Sequence, residues 1–282
     1  MIYNKIYDFC KVRNKGNCFV NGTEPTPRVK FIINLLNEEG IEYELDIFEE
    51  KKHRKSIWNP IKSFTGNIYG SDIEDESDPP DTEEKANYYY NIIMKGSSNK
   101  MICAHHDVNN HKTDNANDNS ASVINVIATK KLMPEINAVI VDGEEFGGIG
   151  SKRVSEQIKS GEFGSISWVL NYELTGKGGK YFFIGNYPGK LSDHILSIFN
   201  PPIVRTPFND SVIFRRFGID SVVINPVPPM PEGQESEVIF PDGTYLDTRI
   251  LYYCHSSKDT IDNISVSDMK EFVEEVAIKI LS

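Results

Sequence analysis

A chain of 282 residues with 30 Lys plus Arg against 41 Asp plus Glu carries a formal charge of -11, which repels a phosphate backbone and argues against nucleic acid as a partner. Hydrophobic residues are spread along the chain in numbers that can fill the core of one α/β domain, and no apolar run is long enough to span a bilayer. The cysteines Cys10, Cys18, Cys103 and Cys254 have no close paired spacing and residues 1–8 lack the apolar core of a signal peptide, so a cytoplasmic protein without a disulfide framework is expected.

Residues 1–13 read as a short helix with Ile2, Ile6 and Phe9 or Cys10 on one side. Pro25 and Pro27 precede a helix over 29–36, where Phe31, Ile32, Leu35 and Leu36 fall at helical spacing and Gly40 is the stop. Alternation over 41–48 predicts a strand with one polar face. The basic run 51–55 and the pair Lys130-Lys131 read as solvated surface, and the acidic stretch 70–85 as a polar loop or flap. Two apolar runs, 88–94 and 101–105, flank Gly96-Ser97-Ser98-Asn99 as the strands of a hairpin would.

From there strands and helices alternate. Helices are predicted over 121–132, 149–158, 191–199, 211–217 and 267–281, and strands over 138–141, 166–170, 181–184 and 222–224. This pattern predicts a single globular α/β domain over 1–282, with a mixed, mostly parallel β-sheet flanked by helices. In such sheets ligands collect beyond the carboxyl ends of the strands. Gly176-Lys177-Gly178-Gly179 is read as a turn, because a strand-like segment follows it and a phosphate loop would open a helix.

Polar residues gather just after the apolar strands. His105-His106-Asp107 follows 101–104, and two-residue spacing on extended backbone lets His105 and Asp107 face one site while His106 faces elsewhere. Asp107 is placed to fix the tautomer of His105. Asp118-Asn119-Ser120 precedes the helix at 121, where all three are competent caps and Asp118 can also offer oxygens to a metal. Glu144 and Glu145 follow the strand at 138–141, and adjacent carboxylates there call for nearby positive charge. Glu173 follows 166–170, and His255 follows the apolar 250–253. Three anionic ligands, Asp118, Glu145 and Glu173, with neutral His105 and His255 and a bridging hydroxide, balance two divalent ions. Cys254 is read as a neighbour of this set and not a ligand, and Asn209 and Asp210 as caps of the following helix.

In these residues the chain resembles the zinc exopeptidases of the bacterial leucyl-aminopeptidase type, co-catalytic metallopeptidases of peptidase family M28 with glutaminyl-cyclase-like relatives. The resemblance rests on His105-x-Asp107, Asp118-Asn119, the Asp142-x-Glu144-Glu145-x-Gly147-x-x-Gly150-Ser151 run, Glu173, and His255-x-x-x-Asp259-Thr260, and it extends over residues 25–282. It implies a zinc-exopeptidase-like fold and two zinc-like ions, one held by His105 and Glu173, the other by Glu145 and His255, with Asp118 bridging. It further implies Glu144 as general base and Asp107 as the residue orienting His105. Where the family often has aspartate, this chain has Glu173. The implied activity is removal of N-terminal residues from peptides, or cleavage of small amides. An amidase, deacylase or glutaminyl-cyclase-like enzyme is the alternative on the same scaffold, and a non-catalytic metal-binding module is a third.

Overall fold

The computed structural model describes residues 2–12, 24–50, 87–108, 113–227, 237–239, 245–247, 249 and 254–282. The polar 70–85 stretch and the basic 51–55 run lie outside them. Near the N-terminus a 3-10 turn, Ile2–Lys5, leads into α1 (Ile6–Phe9), which buries Ile6 and Phe9. Local chemistry then sets the limits of α2 (Pro27–Glu39). The Thr26 hydroxyl accepts a hydrogen bond from Val29 N–H at 3.2 Å, Pro27 fills the first turn where no N–H is needed, and Gly40 ends the helix at φ 67°.

The strands are β1 (Glu44–Glu50), β2 (Asn87–Met94), β3 (Lys100–His105), β4 (Asn137–Val141), β5 (Trp168–Tyr172), β6 (Phe182–Gly185), β7 (Ile203–Val204) and β8 (Asp220–Pro226), with a separate antiparallel pair β9 (Glu237–Ile239) and β10 (Tyr245–Asp247). The first eight form one sheet in the order β1-β2-β4-β3-β5-β8-β6-β7. At its centre β4, β3, β5 and β8 run parallel, while β2 pairs antiparallel with β4 and with β1, and β6 antiparallel with β8. The expected mixed, mostly parallel sheet is thus present.

The hairpin expected between 88–94 and 101–105 does not form. β4 lies between these two runs, antiparallel to β2 and parallel to β3. All five residues of β4 are buried, so it takes a central place that a short turn between β2 and β3 could not reveal. The intervening loop instead packs on the approach to β4: Ser98 N–H donates to the Glu135 carbonyl at 2.8 Å and Gly96 N–H to Asn137 Oδ1 at 2.9 Å. The strand expected at 166–170 also lies further on, so that Asn171 and Tyr172 belong to β5.

Helices cover both faces: α3 (Ala121–Leu132), α4 (Ile149–Ser160), α5 (Lys190–Phe199), α6 (Asp210–Arg216) and α7, which begins as Val266–Glu271, widens through Phe272–Ala277 and closes with Ile278–Leu281. Alternate side chains divide between two cores. Ile102, Ala104, Ile140, Leu170 and Tyr172 pack with α3 and α7, whereas Met101, Cys103, Val139, Val141 and Val169 pack with Val154 and Ile158 of α4 and Phe214 of α6. Lys130, expected on the surface, is buried, and its ammonium is held by the carbonyls of Lys95, Pro134 and Ile136 at 2.6–2.8 Å. Desolvation of a cation at this point is offset by three fixed acceptors. Among the described residues no helix is long and apolar enough to cross a membrane.

Candidate metal centre

The carboxyl ends of β3, β4 and β5 lie side by side, and each delivers polar residues to one edge of the sheet. His105 is the last residue of β3 and is fully buried. Its Nδ1 lies 3.2 Å from the Asp107 carbonyl, which can only accept, so the proton of a neutral ring sits on Nδ1. The lone pair is then on Nε2, 3.1 Å from Glu173 Oε1 and 3.3 Å from Asp118 Oδ1. His106 points away, as two-residue alternation requires, and donates from Nε2 to the Tyr90 carbonyl at 2.9 Å.

Asp118 sits in the turn Ala116–Ser120 ahead of α3, and the Asp118-Asn119 peptide is cis. Neighbouring side chains hold this turn. Asn119 donates to the Tyr172 carbonyl at 3.1 Å and accepts from Leu174 N–H at 3.2 Å, gripping the backbone on either side of Glu173. Asp259 accepts from the backbone N–H groups of Asn117, at 2.6 Å, and Asp118, at 3.3 Å. The family-like pairs Asp118-Asn119 and His255 with Asp259 therefore have a mechanical reason: Asn119 ties the turn to Glu173, and Asp259 ties it to the segment carrying His255.

Asp107 makes a second connection through its carboxylate, which lies 3.3 Å from His105 Nδ1 and accepts from the N–H groups of Glu144, at 3.2 Å, and Glu145, at 3.0 Å. On the opposite side His255 Nε2 is 3.1 Å from Asp118 Oδ2 and 3.1 Å from Glu145 Oε2. The two carboxylate oxygens of Asp118 thus face different imidazoles. Two further groups complete the cluster: Glu144 lies with His105 and Glu145, and Cys254 with Asp118 and His255, the ligand atoms of each trio being within 4.8 Å of one another.

These surroundings displace the proton affinities. Burial, opposed by His105 and reinforced by Glu145, Asp210 and Glu173, holds the Glu144 carboxyl well above the usual range. Glu145 and Glu173 are also raised by burial, against the pull of His255 and His105 respectively. Burial opposes the charged form of His105, but Glu173, Asp107 and Asp118 outweigh it and raise its pKa. Cys254 is pushed up by burial and by the Asp118 charge.

The donor set fits a pair of divalent cations. Two imidazole nitrogens and three carboxylates are the ligand types zinc takes, and His105 has the outer-sphere partner that fixes its tautomer. Among the described residues, the ion-pair partners of Asp118, Glu145 and Glu173 are those two imidazoles alone, so clustered negative charge is left for cations to balance.

All seven residues singled out from sequence, His105, Asp107, Asp118, Glu144, Glu145, Glu173 and His255, meet at this edge. Two others were undervalued. Asp210 opens α6 fully buried, with no hydrogen-bond partner for either carboxylate oxygen, and burial, opposed by His105 and aided by Glu173 and Asp107, raises it to about 7. The helix is capped by Asn209, whose side chain accepts from Ser211 N–H at 3.0 Å. One cap suffices, so the spare acid of an Asn-Asp pair was the available signal. Asp259, whose carboxylate holds the Asp118 turn to the segment of His255, was passed over as a positioning group. Tyr172 and Phe182 lie in the core.

A mixed sheet with buried imidazoles and carboxylates converging at the ends of its parallel strands defines the class of metal-dependent hydrolases. The chain belongs to peptidase family M28, which it matches over residues 91–279. No curated protein matches it in sequence. Among solved structures it is similar to the glutaminyl cyclase of Porphyromonas gingivalis, at a TM-score of 0.65 and 15% identity over 99% of this chain and 96% of that one. An aminopeptidase from Aneurinibacillus sp. strain AM-1 is similar at a TM-score of 0.65 and 14% identity, with 99% and 92% covered. A glutaminyl cyclase from an Acidobacteriales bacterium gives 0.64 and 16%, with 99% and 92% covered.

Proposed function

We propose that the chain is a single catalytic domain and a two-metal aminopeptidase, removing N-terminal residues from peptides or small amides. The observation that carries this reading is the convergence of His105, Asp118, Glu145, Glu173 and His255 around Glu144. In it, His105 and Glu173 would hold one zinc-like ion and Glu145 and His255 the other, with Asp118, which lies between the two imidazoles, available to both. When bound, such ions lower the pKa of a shared water into the neutral range and polarise the carbonyl to be attacked.

The remaining work falls to the chain's own groups. Glu144, which lies with His105 and Glu145, accepts a proton from the attacking water and returns it to the departing amine. Asp107 keeps the proton of His105 on Nδ1 and so presents Nε2 to the site. A free substrate N-terminus is held by a carboxylate outside the ion set, which restricts cleavage to the chain end.

Metal content measured together with turnover on aminoacyl amides, their N-acetylated counterparts and N-terminal glutamine substrates tests this reading. Two ions per chain and a preference for the unblocked amides are expected. Two ions with cleavage of blocked substrates alone would replace the aminopeptidase with an amidase or deacylase. Cyclisation of glutamine without amide hydrolysis would replace it with a glutaminyl-cyclase-like enzyme, the activity named for two of the similar structures.

A further inference from the structure

One side chain at the site has no part in that reading. Cys254 directly precedes His255, and its Sγ lies 3.2 Å from Asp118 Oδ2. The same oxygen is 3.1 Å from His255 Nε2, which is in turn 3.1 Å from Glu145 Oε2. Around one tetrahedral zinc, bond lengths of about 2.1 Å to nitrogen or oxygen and about 2.3 Å to sulfur place N and O donors roughly 3.4 Å apart, and S and O donors roughly 3.6 Å apart. The observed separations are a few tenths of an ångström shorter, so an ion could enter with a small outward movement of side chains.

We propose that Cys254 is a direct ligand of the ion held by Asp118, Glu145 and His255, which makes that position a four-donor, sulfur-containing site unlike its neighbour. The proposal rests on the two-ion reading above. On the other side, His105, Asp118 and Glu173 supply only nitrogen and oxygen. The two positions therefore differ in ligand type, and expansion to a fifth place on the sulfur side still admits the water that both ions share. Sulfur also makes the second position selective for thiophilic ions. Coordination replaces the S–H proton, which passes to solvent.

No other described cysteine can take this role. Cys103 lies on β3 among Met101, Val139 and Val141 in the apolar core beneath the sheet, and Cys10 is buried with the N-terminal helix. Cys254 itself is half-buried.

Cobalt(II) loading of the metal-stripped full chain is the test, because a cobalt–sulfur bond has a near-ultraviolet charge-transfer absorption that cobalt bound to nitrogen and oxygen lacks. Expected are two cobalt ions per chain and a charge-transfer band that saturates with one of them. Cys254→Ser should abolish the band while keeping both positions loadable, one of them weakened at least roughly tenfold, the lower end of what even outer-sphere partners contribute. Iodoacetamide labelling of Cys254, read by mass spectrometry, should be slowed at least about tenfold by cobalt, for the same reason of occupied sulfur. Two bound ions without the band mean that the thiol only hydrogen-bonds to Asp118, which overturns the proposal and leaves the two-ion reading standing. A band that survives in Cys254→Ser also overturns it. Failure to bind cobalt at saturating supply overturns both.

Discussion

Glu144 and Glu145 share a loop and a chemistry but not a set of neighbours. Glu145 reaches His255 at 3.1 Å, whereas Glu144 is bounded by His105 and by the carboxyls of Glu145, Asp210 and Glu173. Replacing Glu144 by Gln should therefore preserve both ions and lower kcat by about 10²–10⁴, the range general acid–base groups supply, while Glu145→Ala and His255→Ala should lose metal as well. Metal analysis beside kcat separates the two outcomes, and near-normal turnover of Glu144→Gln would remove it from the mechanism. His106 offers a test that does not depend on catalysis. Burial, against its hydrogen bond to the Tyr90 carbonyl, pulls its pKa from 6.5 down to about 4. Between those values the unfolded chain binds a proton that the folded one does not, so stability rises with pH through this window and is complete above 6.5. His106→Gln keeps a donor for Tyr90 and removes the titration. In metal-stripped protein the stability gap between wild type and variant should shift by roughly 3 kcal/mol in favour of wild type from pH 4 to pH 7. Denaturant unfolding curves that move in parallel over that range would refute it. His105, His106 and Asp107 were readable from two-residue alternation alone. Asp210 was not, because an aspartate after asparagine before a helix reads as a second cap, and only the folded chain shows that Asn209 already does that work.

At the scale of elements, the glycines of the loop after β4 show why a spacing pattern carries structural meaning. A Cβ on Gly150 would sit 2.5 Å from Asn91 Oδ1, 2.7 Å from Asp142 N and closer still to the Asp142 carbonyl. Gly150 N–H in fact donates to that carbonyl at 2.8 Å, and the contact holds the start of α4 against the end of β4. Gly150→Ala must push the helix away, at a cost of about 1–3 kcal/mol. Because Glu144 and Glu145 lie inside the loop that this contact closes, metal affinity should fall together with thermal stability. A variant that unfolds earlier yet binds metal as tightly as wild type would show the loop to be independent of the helix. Gly147, in open space within the same run, has no such contact. Helix limits such as Gly40 were plain in the sequence because they depend on local backbone chemistry. The partner of β2 was not, since two apolar runs and a turn satisfy a hairpin equally well, and the pairing with β4 is decided by burial of a strand more than 40 residues further on.

Across the whole molecule, the residues that converge span the chain from His105 to His255 and are joined by the sheet, by Asn119 and by Asp259, so the site cannot form before the fold does. The order of the clusters and their place after strands made the site readable without any knowledge of strand order, because parallel neighbours bring their carboxyl ends to one edge. An ion that binds only the folded chain stabilises it by about 2.7 kcal/mol at a hundredfold excess over Kd, which for a protein of this size is roughly 5–10 °C in Tm. The size of that shift should depend on pH. His105 and His255 have raised pKa values in the metal-free chain, burial notwithstanding, because carboxylates surround them and Cys254 adjoins His255. The stability they lend is therefore complete below the ordinary imidazole value of 6.5 and is lost as pH rises through the folded values. Protons thus stand in for cations at low pH, and they also compete with them for the same nitrogens. Stripping the metal should lower Tm more at pH 8 than at pH 6. Equal losses at both values would mean that the imidazoles neither carry the compensating charge nor hold the ions.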